Sequence, residues 1–336
     1  MGHTQRKRLE HTFTWSISGA EAFAKCKRKH WLNRYGSWEG WELGAPVSAM
    51  LAYRLKQLKS RDAYVGQLVH DIIASEVGRL IHGAAASTAD QLAESFRMRL
   101  RAAYSQSLRA VTEGRSPPAN KHQIIFEDHH FGADEKDRWA ASAETGVLCL
   151  AHWRDVVWPE LTRDAPTIMM PEQTTSVFLP AELLPEHLQW CASVPFYATP
   201  DLVLSSTREK AIKVVDWKTG QRDEHHREQM VAYSLLMILD GTPPDDGTNS
   251  CSTALAYLRT GEIVEGWPTL GEFEAFVCDQ AHKMAEARNM LEGEDEIANV
   301  SIAKTWRDVE APEGAAFDKY PCGWCCYRGL CHGEVP

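Results

Sequence analysis

Two carboxylates and a lysine lie close together in the second half of the chain, and their side chains suit metal-assisted chemistry on phosphate. Asp201 follows a proline, while Asp216 and Lys218 lie in the segment 214–220. A hard divalent cation such as Mg²⁺ binds a few carboxylate oxygens, keeps several waters and takes further ligands from substrate phosphate. These residue types therefore indicate metal-assisted cleavage of a phosphodiester bond.

The segment 212–218 has the alternation of a β-strand. Side chains of a strand point to opposite faces in turn, so Asp216 and Lys218 are expected on one face. Residues 197–205 are predicted to form the preceding strand, which carries Asp201, and residues 205–210 its hairpin connection. Antiparallel pairing of the two strands would bring Asp201 opposite Asp216. A surface hairpin with solvated charges explains the same residues, so other segments have to decide.

Two further segments place polar residues at helical spacing. Gly66 and His70 open an apolar helix predicted over 69–80, and a neutral imidazole can bind a metal. Gln229 and Tyr233 share one face of a helix predicted over about 225–239, because residues four apart are neighbours on a helix. Each segment alone is also explained by a side chain that packs or hydrogen-bonds in the core.

The order of these residues resembles that of the PD-(D/E)XK nuclease superfamily, and specifically its RecB-like branch with G-x-x-x-H and Q-x-x-x-Y elements. A joint match of this kind arises by chance far more rarely than any single motif. The resemblance implies that Gln229 and Tyr233 support the lysine strand and touch the nucleic-acid backbone. The residues in order are His70, Asp201, Asp216, Lys218, Gln229 and Tyr233.

The same resemblance implies roles for the residues around the carboxylates. His70, Asp201 and Asp216 would hold Mg²⁺ or Mn²⁺, with the backbone carbonyl of Trp217 as a further ligand. The bound metal would lower the pKa of a water and stabilise negative charge on phosphorus. Lys218 would orient that water and neutralise charge on the scissile phosphate.

Cysteines form a third group of candidate ligands. Cys322, Cys325 and Cys331 give the spacing C-x2-C-x5-C near the C-terminus, and Cys26 lies far upstream. This distribution resembles the cysteine ligands of AddB-type and CRISPR-associated RecB-like nucleases, which imply a 4Fe-4S cluster. Structural Zn²⁺ suits four thiolates equally well. Cys326 is a fifth candidate, so the choice between Cys325 and Cys326 stays open.

Cysteine usage also bears on the compartment. Nine cysteines are an odd number in a long chain with a polar start and no secretory signal, which predicts a reducing, cytoplasmic environment. No apolar run is long enough for a transmembrane helix, so no membrane partner is expected. The cysteines without ligand spacing are expected to be buried apolar residues, and they are Cys149, Cys191, Cys251 and Cys278.

The composition is that of an ordinary enzyme and not that of a protein that coats nucleic acid nonspecifically. The 336 residues are 44% hydrophobic and 24% charged, enough for one large domain or two modest ones. A formal charge of -10 argues against nonspecific coating of nucleic acid, because phosphate binding draws on clustered lysine and arginine. Nucleic-acid binding therefore has to use local basic segments, of which residues 5–8, 25–30 and 97–101 are the candidates.

The predicted fold class is α/β, with a restriction-endonuclease-like mixed sheet flanked by helices and closed by a C-terminal Fe-S staple. Residues 1–166 form an N-terminal helical region that contributes Cys26 and His70. Residues 167–300 form the nuclease core, and residues 301–336 the cysteine-rich tail. Glu172 is a weaker candidate for the site, with a solvated strand edge as the alternative. Further helices are predicted over 18–35, 90–112, 140–158 and 272–292.

The predicted function is metal-dependent hydrolysis of phosphodiester bonds in DNA, on single-stranded or end-containing substrates, in repair, recombination or antiviral defence. The chain has no G-x-x-x-x-G-K-[ST] phosphate loop, so a motor would be a separate helicase or defence-system subunit. The alternative is a catalytically silent or redox-gated Fe-S subunit that binds nucleic acid. Cleavage assays and iron and sulfide analysis separate these functions.

Overall fold

The protein is described by a computed structural model. Its described residues are 10–133, 135–164, 166–171, 174–206, 211–241, 251–291, 306–312 and 322–332. Contacts divide the chain into two units. The terminal unit comprises Met1–Lys56, Phe178–Tyr197 and Val277–Pro336. The sheet unit comprises Gln57–Val177 and Ala198–Phe276.

The first half of the described chain is mainly helical, and most strands follow from Thr167 onward. None of the described helices is both long and apolar enough to cross a membrane. The helices are α1 (Ile17–Lys25), α2 (Lys27–Trp31), α3 (Val47–Lys56), α4 (Arg61–Ile81), α5 (Ala89–Thr112), α6 (Glu127–His130), α7 (Lys136–His152), α8 (Trp158–Leu161), α9 (His225–Leu239), α10 (Leu270–Arg288) and α11 (Arg328–His332). The strands are β1 (Trp15–Ser16), β2 (Thr167–Pro171), β3 (Thr175–Val177), β4 (Phe196–Ala198), β5 (Leu202–Ser206), β6 (Ala211–Lys218), β7 (Cys251–Tyr257) and β8 (Glu262–Gly266).

A five-stranded mixed sheet in the order β2-β5-β6-β7-β8 is the centre of the sheet unit. β5 and β6 pair antiparallel, β6 and β7 pair parallel, and the two outer pairs are antiparallel. β6 and β7 are apolar along most of their length because both faces of a central strand are covered. This sheet confirms the predicted mixed α/β fold, and its last strand, β8, extends it to Gly266.

The apolar core of the sheet unit lies between one face of the sheet and the helices α4, α5 and α7. Val215 and Trp217 belong to this core, so strand alternation places Asp216 and Lys218 on the other face. Helix α9 packs near that other face and contacts β6 and β7. Helix α5 starts at a capping box in which Thr88 and Gln91 satisfy each other's backbone N–H groups.

Three of the six helix predictions were right and three need correction. Helices α5, α9 and α10 match the predicted 90–112, 225–239 and 272–292, although α10 begins two residues earlier and ends at Arg288. The predicted helix over 18–35 is wrong as one element, because Cys26 adopts an extended conformation that separates α1 from α2. The helix predicted from 69 begins at Arg61, where the hydroxyl of Ser60 caps it. The helix predicted over 140–158 runs from Lys136 and, after a π turn, continues past Pro159.

The strand predicted over 197–205 is also wrong as one element. Asp201 lies at a bend between β4 and β5 and not within a strand. Residues 207–210 of the predicted hairpin connection, the candidate Glu172 and the basic segment 5–8 lie outside the described residues. The two units do not follow the linear regions 1–166, 167–300 and 301–336, because α4 belongs with the sheet and Cys26 with the C-terminal cysteines.

The terminal unit has its own apolar core, built from segments that are distant in sequence. Its short strands β1 and β4 pair in parallel, with Trp15 beside Phe196. The buried indole N–H of Trp15 donates to the side chain of Gln280 at 2.9 Å. Tyr327, which is fully buried, donates from its hydroxyl to the Asn33 side chain at 2.6 Å. These contacts bring N-terminal, middle and C-terminal segments into one unit.

Candidate active site

The first part of the site joins helix α4 to the sheet through Asp201. One carboxylate oxygen of Asp201 lies 2.9 Å from Nδ1 of His70. The other oxygen accepts the backbone N–H of Trp217 at 2.7 Å. Asp201 is thereby held from two sides, by a helix and by the strand that carries the other predicted site residues.

The register of β5 and β6 brings the two carboxylates together. Leu202 pairs with Val215, and one further step along this antiparallel register places Asp201 beside Asp216. Lys218 points to the same face as Asp216, and its Nζ lies 2.7 Å from Asp216 Oδ2. The structure thus brings Asp201, Asp216, Lys218 and His70 together within the sheet unit.

Asp216 is an acid in an environment that disfavours its charge. The residue is 3% exposed. Burial, and then the negative charge of Asp201, raises the pKa of Asp216 to about 6, although the Lys218 ammonium opposes the shift. The buried Oδ2 of Asp216 lies 2.7 Å from the Lys218 ammonium, and apart from this pairing no donor reaches it within the described part of the chain. A divalent cation would compete with the ammonium for this oxygen.

The neighbouring acids determine the protonation of His70. Burial lowers the pKa of His70, but the hydrogen bond and the charge of Asp201, together with the charge of Asp216, outweigh burial, so the net pKa is raised. The imidazole therefore prefers to be protonated and paired with Asp201 when only the protein groups are present. A cation beside the carboxylates would reverse this preference, because it repels the imidazolium.

A chain of hydrogen bonds holds Lys218 on the opposite side. Lys218 Nζ donates to the side-chain oxygen of Gln229. The amide nitrogen of Gln229 donates to the hydroxyl of Tyr233 at 2.6 Å. Gln229 and Tyr233 are one helical turn apart on α9, and Tyr233 is 6% exposed. The two predicted supporting residues thus lie where they restrict the lysine.

A glycine permits the close approach of α4 to the end of β6. A Cβ built on Gly66 would lie 2.9 Å from Oγ1 of Thr219, the residue after the strand. Gly66 and His70 are four residues apart, so they lie on the same face of α4. The glycine of the G-x-x-x-H element therefore has a steric role, because it lets this face approach the strand end.

Sequence reasoning missed two residues near the site. Tyr257 is the partner of Lys218 in the parallel pairing of β6 and β7, and its hydroxyl lies 3.2 Å from Nδ1 of His226. The charges of Lys218 and Asp216 both act on Tyr257, whose pKa is raised mainly by burial. The position of a tyrosine at the end of an apolar strand was a usable signal. The parallel partner of that strand could not be read from sequence.

The carboxylates fit a divalent cation in their chemistry. Hard cations prefer carboxylate oxygens, and no donor other than the Lys218 ammonium reaches the buried Oδ2 of Asp216 within the described residues. Among the described residues, no group of three or more His, Cys, Asp or Glu has the spacing of a metal site. In place of that spacing, Asp201 hydrogen-bonds His70 and the N–H of Trp217. The Trp217 carbonyl stays a predicted ligand.

The predicted cluster ligands come together in the terminal unit. Burial raises the pKa of Cys331 to about 12, and negative charge on Cys325, Cys26 and Cys322 contributes to the shift. All four thiols are thus close enough to interact. A hydrogen bond with Cys326, aided by nearby cations, lowers the pKa of Cys325 to about 6. The group lacks the spacing of a formed metal site among the described residues.

The remaining cysteines behave largely as expected. Cys149, Cys191 and Cys251 are buried, whereas Cys278 is only half-buried and lies 3.6 Å from a His282 ring nitrogen. Burial raises the pKa of each of the three buried thiols, to about 11 or 12. They are therefore protonated, apolar core residues.

Comparison with known proteins supplies one match. The family model of the PD-(D/E)XK nuclease superfamily matches residues 14–332, which is nearly the whole chain. Among curated proteins, no sequence matches.

Proposed function

The chain belongs to the PD-(D/E)XK nuclease superfamily, and from this premise we propose that it is a metal-dependent nuclease that hydrolyses phosphodiester bonds of DNA. Membership supports a phosphodiesterase of the nuclease type, and divalent metals such as Mg²⁺ are typical of the superfamily. The DNA substrate, with single-stranded or end-containing forms first, and a role in repair, recombination or antiviral defence are parts of the proposal.

One observation carries the proposal: a buried carboxylate with a raised pKa lies beside a second carboxylate and a lysine. Asp216, Asp201 and Lys218 supply these groups. Burial and the charge of Asp201 both disfavour the charged form of Asp216, and two acids so close together are costly unless a cation compensates them. Strongly perturbed acids of this kind cluster at functional sites.

Asp216, Asp201 and His70 would hold Mg²⁺ or Mn²⁺, which when bound supplies Lewis-acid stabilisation of negative charge and a more acidic water. The contribution of the chain itself is positioning. Asp201 is fixed by His70 and by the Trp217 N–H, so its carboxylate is oriented in advance. Preorganised charges of this kind favour the transition state because they need no rearrangement during the reaction.

Lys218 has the second role in the proposed mechanism. Its ammonium group lies beside Asp216 and is held by Gln229. From this position it would orient the attacking water and neutralise charge on the scissile phosphate. Substrate phosphate would take over part of the interaction that the Lys218 ammonium makes with Asp216. The bound metal would then compensate the negative charge of Asp216.

The four clustered cysteines support a second part of the proposal, a 4Fe-4S cluster bound by Cys26, Cys322, Cys325 and Cys331. The electrostatic coupling of Cys331 to the other three is the supporting observation. Four thiolates in one partly buried group repel one another unless a cationic centre compensates them. Zn²⁺ would satisfy the same ligands, and metal analysis of purified protein separates the two.

The RecB-like branch and the partners are proposed on the same basis. The branch is supported by the positions of Gln229 and Tyr233 relative to Lys218 and of Gly66 relative to the strand end. A separate helicase or defence-system subunit would supply the motor, because the chain has no phosphate loop of the Walker type.

The test compares Asp216→Asn with the wild type in cleavage of end-labelled single-stranded DNA, duplex DNA and RNA with added Mg²⁺ or Mn²⁺. Asp216→Asn keeps the shape but removes the charge, so cleavage is expected to fall by at least about 100-fold. Asp240→Asn is the matched control, since Asp240 is an exposed acid at the end of α9. Full activity of folded Asp216→Asn would contradict the proposed site.

The same assay addresses the alternative of a catalytically silent or redox-gated Fe-S subunit. A silent subunit would bind labelled DNA without cutting it under every metal condition. A redox-gated subunit would change its DNA affinity when the cluster is reduced or oxidised, with no cleavage in either state. Cleavage by the wild type that is lost in Asp216→Asn excludes both.

A further inference from the structure

A cavity of about 380 Å³ lies between α5 and α7 of the sheet unit. None of the candidate active-site residues lines it. Its wall is mainly apolar and includes Leu100 and Tyr104 from α5 and Trp139 and Ala143 from α7. The volume is within the range of about 300–1,000 Å³ that is typical of sites for small ligands or single groups of larger ones.

The aromatic part of the wall is rigid. Tyr104 and Trp139 form an edge-to-face pair with ring centroids 5.2 Å apart, and Trp139 packs on Phe126 at 4.6 Å. Trp139 is only 6% exposed. Aromatic side chains fixed in this way keep a cavity open without a cost in side-chain entropy when a ligand enters.

Two cationic side chains also line the cavity, Arg101 from α5 and Lys136 from α7. Both are exposed, and neither forms an ion pair or side-chain hydrogen bond with the part of the chain that the structure describes. Arg97 lies one helical turn before Arg101 and makes only a 4.0 Å contact with Glu94. Arg97, Arg101 and Lys136 supply positive charge in a chain of formal charge -10, and the exposed acids Glu135 and Asp137 flank Lys136.

An apolar cavity with cations beside it has the chemistry of a nucleotide, which joins a flat apolar base to a phosphate. Proteins bind single strands with aromatic and apolar surfaces for the bases and with cations that follow the backbone. A duplex keeps its bases stacked and offers none to a cavity. An acidic polypeptide would use the cations but has no flat apolar group to fill the cavity.

We infer that this cavity binds one base of a single-stranded nucleic acid, whose adjacent phosphates lie against Arg101 and Lys136. The inference rests on the proposed nuclease function and names a substrate contact outside its active site. Helix α4 connects the two places. The Arg61 guanidinium at its start lies 6.0 Å from the Trp139 ring centre, and His70 follows nine residues later, about 14 Å along the helix axis.

The first experiment measures binding of a fluorescein-labelled oligothymidylate by anisotropy, without added divalent metal, over a range of salt concentrations. Arg101→Gln combined with Lys136→Gln is expected to raise Kd about 10-fold and to reduce the salt slope by about 1.4, which corresponds to two lost phosphate contacts. Arg109→Gln combined with Lys121→Gln is the matched control. It removes two exposed cations of the same unit and should change Kd less than about 2-fold.

The second experiment tests the cavity itself. Ala143→Phe places a large side chain in the cavity and is expected to raise Kd about 10-fold without changing the salt slope. An oligonucleotide with one 5-iodouracil should crosslink, on irradiation of the wild type, to peptides from 100–105 or 136–143. This measurement needs no variant, so it decides the matter even where Ala143→Phe does not fold.

Several outcomes would overturn the inference. Crosslinks that form only to other peptides would overturn it. A folded Ala143→Phe variant that binds the oligonucleotide like the wild type would also overturn it, because the surface would then bind phosphate without a pocket for the base. Competition by polyglutamate as strong as that by the oligonucleotide would assign the surface to acidic polypeptides. Binding that follows these expectations in a protein without cleavage would contradict only the proposed nuclease function. Lost cleavage in Asp216→Asn with unchanged binding in the cavity variants would contradict only the cavity.

Discussion

At the scale of single residues, the candidate site consists of charges that are each restrained by a neighbour. Asp201 is restrained by His70, and Lys218 by Gln229, which in turn is held by Tyr233. Asp216, the most deeply buried acid of the group, is paired with the Lys218 ammonium. The restraints are useful for catalysis because a positioned charge needs little reorganisation in the transition state.

The Tyr233 hydroxyl is expected to act through Gln229 on the orientation of Lys218. Tyr233→Phe removes only this hydroxyl, so kcat for DNA cleavage should fall about 10-fold, while KM stays nearly constant. Tyr64→Phe, at a half-buried tyrosine of the same unit, is the matched control and should leave kcat unchanged. Equal kcat values for Tyr233→Phe and the wild type would show that the hydrogen-bond chain has no positioning role.

At the scale of elements, the distance between helix α4 and the end of β6 determines where His70 meets Asp201. Gly66 faces Thr219 in this contact, and a Cβ there would lie 2.9 Å from the Thr219 hydroxyl oxygen, so either this hydroxyl turns away or the two elements separate. The same helix has a second glycine, Gly78, around which a Cβ would meet no atom within 4 Å. Substitutions at these two positions therefore distinguish an effect of helix propensity from an effect of close packing.

Gly66→Ala is expected to lower cleavage at least about 10-fold, because the added methyl group moves α4 and with it His70. Gly78→Ala is the matched control and should stabilise the fold by about 0.5–1 kcal/mol without loss of activity. Thr219→Ala in the Gly66→Ala background removes the clashing oxygen and should restore part of the activity. Kinetics and thermal unfolding of the four proteins are the measurements. Undiminished activity of Gly66→Ala would contradict the packing argument.

At the scale of the whole molecule, the four proposed cluster cysteines lie in the terminal unit, in which N-terminal and C-terminal segments meet. Cys26 stands at the break between α1 and α2, where its Sγ accepts the backbone N–H of Lys29 at 3.3 Å. Arg28, two residues later, donates to the carbonyl of Val309 at 2.8 Å. A cluster bound between such distant segments would stabilise the unit by closing a long loop.

Cys331→Ser is expected to remove the thiolate-to-iron absorbance and to lower Tm by at least about 5 °C, because metal binding contributes directly to folding. Cys278→Ser makes the same chemical change in α10 of the same unit, where no cluster ligand is proposed, and should keep both properties. Iron and sulfide analysis accompanies the spectra. A colourless wild type with the same Tm as Cys331→Ser would contradict the cluster. Zinc in a colourless wild type with a higher Tm than Cys331→Ser would identify the alternative.

The contrast between predicted and observed elements follows from the range of the forces involved. Helices α5 and α9 were predictable because local periodicity and caps specify them. The break at Cys26 was not, since no proline or glycine lies next to it and tertiary contacts decide it. The bend at Asp201 did have a local signal, because Pro200 precedes it and a proline disfavours the interior of a strand.

Sequence alone identified the sheet-and-helix class, the residue types of the candidate site and their order, because alternation and helical spacing are local properties of the chain. It could not show that Tyr257 pairs beside Lys218, that Gly66 touches Thr219, or that Cys26 joins the C-terminal cysteines in one unit. These are contacts between residues 39 or more positions apart. Register and packing of the folded chain determine them, and no short stretch of sequence carries that information.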